Sequence, residues 1–143
     1  MISESASVRI ERPAEVVWDY FTDVGNDPDW NPSAIRARKT SDGPLRVGST
    51  FHVVRKMSGP MDLTYLEYNR PLKWALRGTG RGMSFTYSAD LTPSGGGTEL
   101  TSRMDLEPKG LLAVAGPMLR MVTKKQLEQV HTALKRKLES ASA

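Results

Sequence analysis

Two alternating segments near the middle of the chain constrain the fold more than any other feature. Apolar or small residues occupy every second position of each segment: Met83, Phe85, Tyr87, Ala89 and Leu91, then Thr98, Leu100, Ser102, Met104 and Leu106. This period of two is typical of strands with one buried face. Folding about Ser94-Gly95-Gly96-Gly97 predicts a hairpin that pairs Leu91 with Thr98, Ala89 with Leu100, Tyr87 with Ser102, and Phe85 with Met104.

Further strands are predicted on both sides of this hairpin. Turn-forming residues divide the chain into segments near 3–11, 33–40, 48–56, 61–69 and 72–78. Their short connections make consecutive strands antiparallel neighbours. In 61–69 the set Leu63 and Tyr65 competes with the set Leu66 and Tyr68 for the buried face. A β-bulge would let both sets point inward, so we expect one there.

Helical patterns lie near both ends of the chain. Pro13 is suited to open a helix that contains Val17 and Phe21, and Gly25 to Pro32 break it, leaving Trp30 in a turn-rich connection. From about residue 111 the period becomes helical, with one apolar stripe: Leu119, Val122, Leu127, Val130, Leu134 and Leu138. These elements predict an α+β fold in which a curved antiparallel sheet of about seven strands wraps a long C-terminal helix.

The composition of the chain excludes several classes of function. The 143 residues fit one domain, 1–143, and the absence of cysteine excludes disulfides and thiolate chemistry. No apolar run reaches the ~20 residues that span a bilayer, and the N-terminus lacks a signal-peptide layout, so we expect a cytoplasmic protein. The net charge of +4 is scattered, which argues against nucleic-acid binding and is compatible with transient contact with a membrane surface.

An ordered set of short motifs resembles a known family. Ile10-Glu11-Arg12-Pro13-Ala14-Glu15-Val16-Val17-Trp18, then Thr22-Asp23 and Trp30-Asn31-Pro32, is similar to the start of the polyketide cyclase/dehydrase branch of the SRPBCC (START-related, birch-pollen-allergen-like) superfamily. Asp42-Gly43-Pro44 and Gly96-Gly97-Thr98 resemble its later turns. The resemblance implies a helix-grip fold. Members of this superfamily include cyclases, lipid carriers and chaperone co-factors, so the resemblance does not select one function.

The inner face of the sheet is the candidate binding site. It mixes aromatic residues with small or polar ones, and a cavity with a few polar anchors accommodates both. Arg55 shares the phase of Phe51 and Val53, and faces either the pocket or the edge of the sheet. The predicted ligand-binding residues are Trp30, Phe51, Val53, Arg55, Tyr65, Trp74, Phe85, Tyr87, Ser102, Met104, Met118 and Val122.

Other motifs are better explained by structure than by chemistry. His52 fits the outer face of a strand, and neither it nor His131 has a nearby cluster of metal ligands. The carboxylates of 23–29 fit helix termination, and the glycines of 78–82 fit a hairpin that leads into a strand. The apolar segment 110–121 is interpreted as a lid beside the pocket, or else as the packed start of a helix.

The combined prediction is a protein that binds an apolar small molecule of aromatic, polyketide-like or lipid-like character, without a metal or cofactor. Two alternatives remain open. One is a cyclase or dehydratase in which Arg55 or a tyrosine polarises a carbonyl. The other is an interaction module of the chaperone-activator type, which needs no cavity. The oligomeric state, monomer or homodimer, is left open as well.

Overall fold

Within the described residues of the computed structural model, which are 1–56, 58–110 and 116–140, seven strands form one antiparallel sheet in the order β1-β7-β6-β5-β4-β3-β2. The strands are β1 Ile2–Ile10, β2 Ala34–Lys39, β3 Thr50–Arg55, β4 Gly59–Asn69, β5 Lys73–Thr79, β6 Met83–Ser94 and β7 Gly97–Pro108. The helices are α1 Ala14–Phe21, α2 Asp27–Trp30 and α3 Gly116–Ser140, with a 3₁₀ turn at Val24–Asn26. The curved sheet wraps α3, which confirms the predicted helix-grip architecture.

The predicted β6–β7 hairpin forms, but its predicted register is wrong by two residues. Leu91 pairs with Leu100 and Ala89 with Ser102, because the turn is centred one residue later than expected. Gly95 and Gly96 both have positive φ (55° and 84°), which is the geometry of a two-residue turn that favours glycine. A shift of two residues preserves the side-chain alternation, so the same side chains face the core.

The predicted bulge in β4 is present. Tyr65 pairs with Leu76 and Glu67 with Ala75, which leaves Leu66 as the extra residue. Tyr65 and Tyr68 consequently both turn inward, with ring centroids 5.9 Å apart. The expectation that Leu66 also points inward is wrong, because its side chain lies on the outer surface, 48% exposed.

The buried face of α3 differs from the predicted stripe in its middle. Its buried residues are Thr123, Leu127, His131, Leu134 and Leu138. Leu119 and Val130 pack only partly against the core. The stripe is therefore rotated slightly, which carries His131 into the interior.

The segment between β1 and β2 closes one side of the core. α1 begins directly after Pro13, as predicted, and buries Val17, Trp18 and Phe21. Trp30 lies in the single turn of α2 rather than in an irregular connection. No helix in the described ranges has the combination of length and apolar character required to cross a bilayer.

Candidate functional site

A cavity of about 280 Å³ lies between α3 and the inner face of the sheet. Its wall is mostly apolar, with a small number of polar groups. Half-buried residues such as Ser33, Ser58 and Leu119 form part of its lining. The lining comprises Phe21, Val24, Asp27, Trp30, Asn31, Ser33, Arg55, Ser58, Met61, Trp74, Leu76, Met83, Phe85, Tyr87, Met104, Leu106, Leu119, Val122, Thr123, Gln126, Leu127 and Val130.

The alternation of the three central strands builds the apolar wall. Cross-strand pairing places Leu76 opposite Tyr87 and Tyr87 opposite Met104, all on the inner face. Gly78 lies opposite Phe85, and a Cβ at Gly78 would come within 2.3 Å of the Phe85 ring. The absence of a side chain at Gly78 is therefore what lets the Phe85 ring lie against the neighbouring strand and line the cavity.

Seven of the twelve side chains predicted to bind a ligand line this cavity: Trp30, Arg55, Trp74, Phe85, Tyr87, Met104 and Val122. Phe51, Val53 and Tyr65 are fully buried in the core instead, away from the lining. Met118 lies on the outside of α3 and is 65% exposed. Ser102 is fully buried and reaches the cavity only through its hydrogen bond to Tyr87.

An ion pair forms part of the wall, and we call Asp27 and Arg55 the charged anchor. Arg55 Nη2 lies 3.2 Å from Asp27 Oδ2, so Arg55 faces inward rather than standing free at the sheet edge. The Asp27 side chain is only 8% exposed, against 25% for Arg55. Burial raises the pKa of Asp27 to about 7, although the Arg55 charge opposes that shift.

Two buried donors in the same wall have no hydrogen-bond partner among the described residues. They are Nε of Arg55 and Nε1 of Trp30. Buried polar groups are nearly always satisfied, by protein or by ordered water or ligand. Both atoms belong to residues that line the cavity, but the atoms themselves expose almost no surface, so an acceptor inside the cavity would reach either of them only after a small movement of the side chain.

A second polar group is uncharged, and we call Tyr87, Ser102 and His131 the neutral relay. The Tyr87 hydroxyl lies 2.5 Å from Ser102 Oγ, which lies 2.6 Å from His131 Nε2. All three side chains are buried. Burial lowers the pKa of His131 to about 4 and raises the pKa of Tyr87 above its usual range, so both groups are neutral near pH 7.

Sequence reasoning missed Asp27 and His131. A signal for His131 existed, because positions 127, 131, 134 and 138 are spaced as one helical face. Asp27 carries no comparable signal, because the sequence pattern does not distinguish it from the other carboxylates of 23–29, which were interpreted as turn residues. That interpretation is correct for Asp23, which accepts a hydrogen bond from the Gly25 amide. His52 lies on the outer face beside Asp62, as predicted.

Two further features from the sequence analysis are possible metal ligands and the segment interpreted as a lid. Across the described parts of the chain, no three His, Asp or Glu side chains are grouped so as to hold a metal ion. The segment interpreted as a lid falls partly outside the described residues, at 111–115. The C-terminal part of the lid segment, 116–121, forms the beginning of α3, where Leu119 contributes to the cavity wall.

Comparison with known proteins places this architecture in a family. The model of the family described as polyketide cyclase / dehydrase and lipid transport matches residues 1–139. The chain belongs to this family. No curated protein matches the chain.

Several solved structures share the fold at low sequence identity. A START superfamily protein from Mycobacterium smegmatis superposes with a TM-score of 0.86 at 19% identity, over 97% of this chain and 98% of the other. The Zhui aromatase/cyclase from Streptomyces sp. R1128 gives 0.84 at 15% identity, over 99% and 95%. A norcoclaurine synthase mutant from Thalictrum flavum gives 0.74 at 13% identity, over 99% and 96%. At these identities the likeness concerns the fold alone.

Proposed function

We propose that this protein binds a small aromatic molecule that carries a hydrogen-bond acceptor, in the cavity between α3 and the sheet. The supporting observation is the combination of a mostly apolar wall with two buried donors, Arg55 Nε and Trp30 Nε1, that have no partner in the described part of the chain. Membership in a family whose description includes cyclases, dehydrases and lipid transport agrees with such a role.

The size of the cavity narrows the class of ligand. Its volume of about 280 Å³ lies just below the roughly 300–1,000 Å³ typical of sites for drug-sized molecules. One or two fused rings, or one short chain, suit this volume, whereas a lipid with two long acyl chains does not. The aromatic side chains Trp74, Phe85 and Tyr87 in the wall favour a flat aromatic ligand.

Titration with naphthalene and quinoline tests the proposal. The two molecules have similar size and shape, but only quinoline has an acceptor nitrogen. We expect both to bind the native protein in calorimetry, with quinoline about fivefold to tenfold tighter because it gains one hydrogen bond to a buried donor. Trp30→Phe and Arg55→Met each remove one of the two donors, and the quinoline advantage should shrink in the variant whose donor it uses.

Blocking the cavity supplies the matched control. Met104→Trp enlarges a side chain in the wall and should abolish binding of both probes, whereas Met118→Trp enlarges an exposed side chain on α3 and should leave binding intact. Equal binding by the two variants, or no binding by folded wild-type protein, would contradict the proposal.

A second candidate function is catalysis of proton transfer next to a carbonyl, as cyclisation or dehydration of a reactive ketone requires. The charged anchor favours it, because Asp27 has a pKa of about 7 and Arg55 lies beside it. The Asp27 carboxylate would take the proton from the α-carbon, the C–H electron pair would become the C=C π bond, and the carbonyl π pair would move onto oxygen. The Arg55 guanidinium would stabilise that enolate oxygen.

Deuterium exchange tests this second candidate directly. Acetophenone incubated with the protein in D₂O should exchange its methyl protons faster than in buffer, as followed by NMR. Asp27→Asn should reduce the catalysed rate by about a hundredfold or more while naphthalene binding persists. Unaccelerated exchange with bound acetophenone would leave a binding protein without this activity.

A further inference from the structure

The neutral relay connects the cavity to a buried residue of α3. Tyr87 lines the cavity, whereas Ser102 lies behind it on β7 and His131 lies behind Ser102 on α3. In the sheet Ser102 pairs with Ala89, two residues from Tyr87 on the same face. Because Ala89 is small, the hydroxyl of Tyr87 can reach diagonally across to Ser102.

The hydrogen bonds of the relay can run in either direction. In the first, His131 donates from Nε2–H to Ser102, Ser102 donates to the Tyr87 oxygen, and the Tyr87 hydroxyl proton is free to point into the cavity. In the second, Tyr87 donates to Ser102, Ser102 donates to His131 Nε2, and the Tyr87 oxygen keeps a lone pair for the cavity. The two arrangements contain the same number of hydrogen bonds and differ in the histidine tautomer.

The remaining nitrogen of His131 does not fix the direction. Nδ1 is buried and has no partner within 1–56, 58–110 and 116–140, so no contact there selects a bare nitrogen or an N–H. Both tautomers are therefore compatible with the contacts of His131.

We propose that the relay makes Tyr87 a reversible hydrogen-bonding contact, which donates to ligands that carry an acceptor and accepts from ligands that carry a donor, with Ser102 and His131 as its positioning residues. This inference rests on the proposed function, since it requires a ligand in the cavity. It adds a second polar contact to that site and extends the ligand class to aromatic molecules with an N–H or O–H group.

The relay works without separating charge. Burial holds the pKa of His131 at about 4 and that of Tyr87 above its usual value near 10. Transfer of one proton from Tyr87 to His131 is therefore disfavoured by a factor of at least about a million. The relay is consequently suited to recognition by neutral hydrogen bonds rather than to proton abstraction.

Nitrogen NMR of histidine-labelled protein tests the inference, because ¹⁵N shifts report which ring nitrogen carries the proton. The chain has two histidines, His52 and His131, so the His131 signals can be assigned with a His131→Gln variant. Indole, which only donates, should shift His131 towards the Nδ1–H tautomer. Quinoxaline, which only accepts and has a second acceptor nitrogen for Tyr87 beyond the one that quinoline offers to Arg55 or Trp30, should shift it towards the Nε2–H tautomer, and naphthalene should leave it unchanged.

Tyr87→Phe is the variant that breaks the relay at the cavity wall. It should abolish both tautomer shifts and weaken indole binding about fivefold relative to naphthalene binding by the same variant, as expected for one lost hydrogen bond. A purely structural role of His131 would produce no ligand-dependent tautomer change.

The outcomes that contradict the inference differ from those that contradict the proposed function. If naphthalene binds but indole and quinoxaline leave the His131 tautomer unchanged, or move it in the same direction, the inference is overturned alone. If naphthalene fails to bind folded wild-type protein, the proposed function is overturned and the inference falls with it.

Discussion

The charged anchor and the neutral relay are two ways of placing polar atoms in the wall of one cavity. Asp27 and Arg55 are kept buried by opposite charges 3.2 Å apart, and they leave a donor, Arg55 Nε, unused. Tyr87, Ser102 and His131 are kept buried by hydrogen bonds between neutral groups. Removing one partner of a buried ion pair leaves an uncompensated buried charge and lowers the free energy of unfolding strongly. Removing one member of a neutral hydrogen-bonded chain leaves only unpaired dipoles, and the free energy of unfolding falls less.

The largest expected effect is therefore at the charged anchor. Arg55→Met leaves the Asp27 carboxylate buried without a counter-charge, and the free energy of unfolding should fall by about 3–5 kcal/mol when measured above neutral pH by chemical denaturation. The loss should be much smaller near pH 5, because the variant can then keep Asp27 protonated.

Arg77→Met provides the control for that prediction. Arg77 also lies 3.2 Å from a carboxylate, that of Glu107, but both side chains are about half exposed. Its removal should cost less than about 1 kcal/mol. Similar losses for the two arginine variants would mean that the charged anchor is as well solvated as a surface pair.

The next largest effect is on the pH dependence of the free energy of unfolding, to which His131 and Asp27 contribute with opposite signs. The folded protein holds the pKa of His131 at about 4, below its ordinary 6.5, so His131 adds stability that is lost as the pH falls through this range. The pKa of Asp27 is raised from 3.8 to about 7, so Asp27 reduces stability as the pH rises through that range. The contribution amounts to roughly 3 kcal/mol for His131 and roughly 4 kcal/mol for Asp27.

Single-site variants separate these two contributions. On acidification from neutral pH to about pH 4.5, Asp27→Asn should lose more stability than wild type, because only the His131 contribution remains. His131→Gln should lose less stability than wild type, or gain it. Carboxylates elsewhere in the chain affect all three proteins alike, so parallel pH profiles would show that neither buried group titrates as described.

A smaller effect is expected within the neutral relay. Ser102→Ala leaves His131 Nε2 and the Tyr87 hydroxyl without their shared partner, and should reduce the unfolding free energy by about 2 kcal/mol. The matched variant Ser88→Ala, on the opposite face of β6, should cost less than about 0.5 kcal/mol because its side chain is half-buried outside the core. Melting points that fall equally would indicate that the hydrogen bonds of Ser102 contribute little.

The sequence predicted the fold more completely than the site, for a physical reason. Strand alternation and turn residues report which face of β6 and β7 is buried, so the aromatic wall of Phe85 and Tyr87 could be placed in advance. The register was off by two residues because Gly95 and Gly96 alone form the turn, and alternation does not distinguish shifts of two.

The polar groups of the site depend on long-range contacts that no local pattern encodes. Asp27 and Arg55 are separated by 28 positions, and His131 is 29 positions from Ser102. An aspartate in a turn-rich segment is most simply explained by its own turn, and only the folded sheet brings Arg55 to it. His131 was recognisable from its helical spacing and Ser102 from its strand alternation, but the hydrogen bond between them was not.

A crystal structure of the protein with quinoline at saturating concentration tests the central claim most directly. Quinoline should occupy the cavity with its rings beside Phe85 and Met104, and its nitrogen should lie within hydrogen-bond distance of Arg55 Nε, Trp30 Nε1 or the Tyr87 hydroxyl. Quinoline bound only outside the cavity, or an empty cavity whose walls have closed on one another, would contradict the assignment of this space as a ligand site.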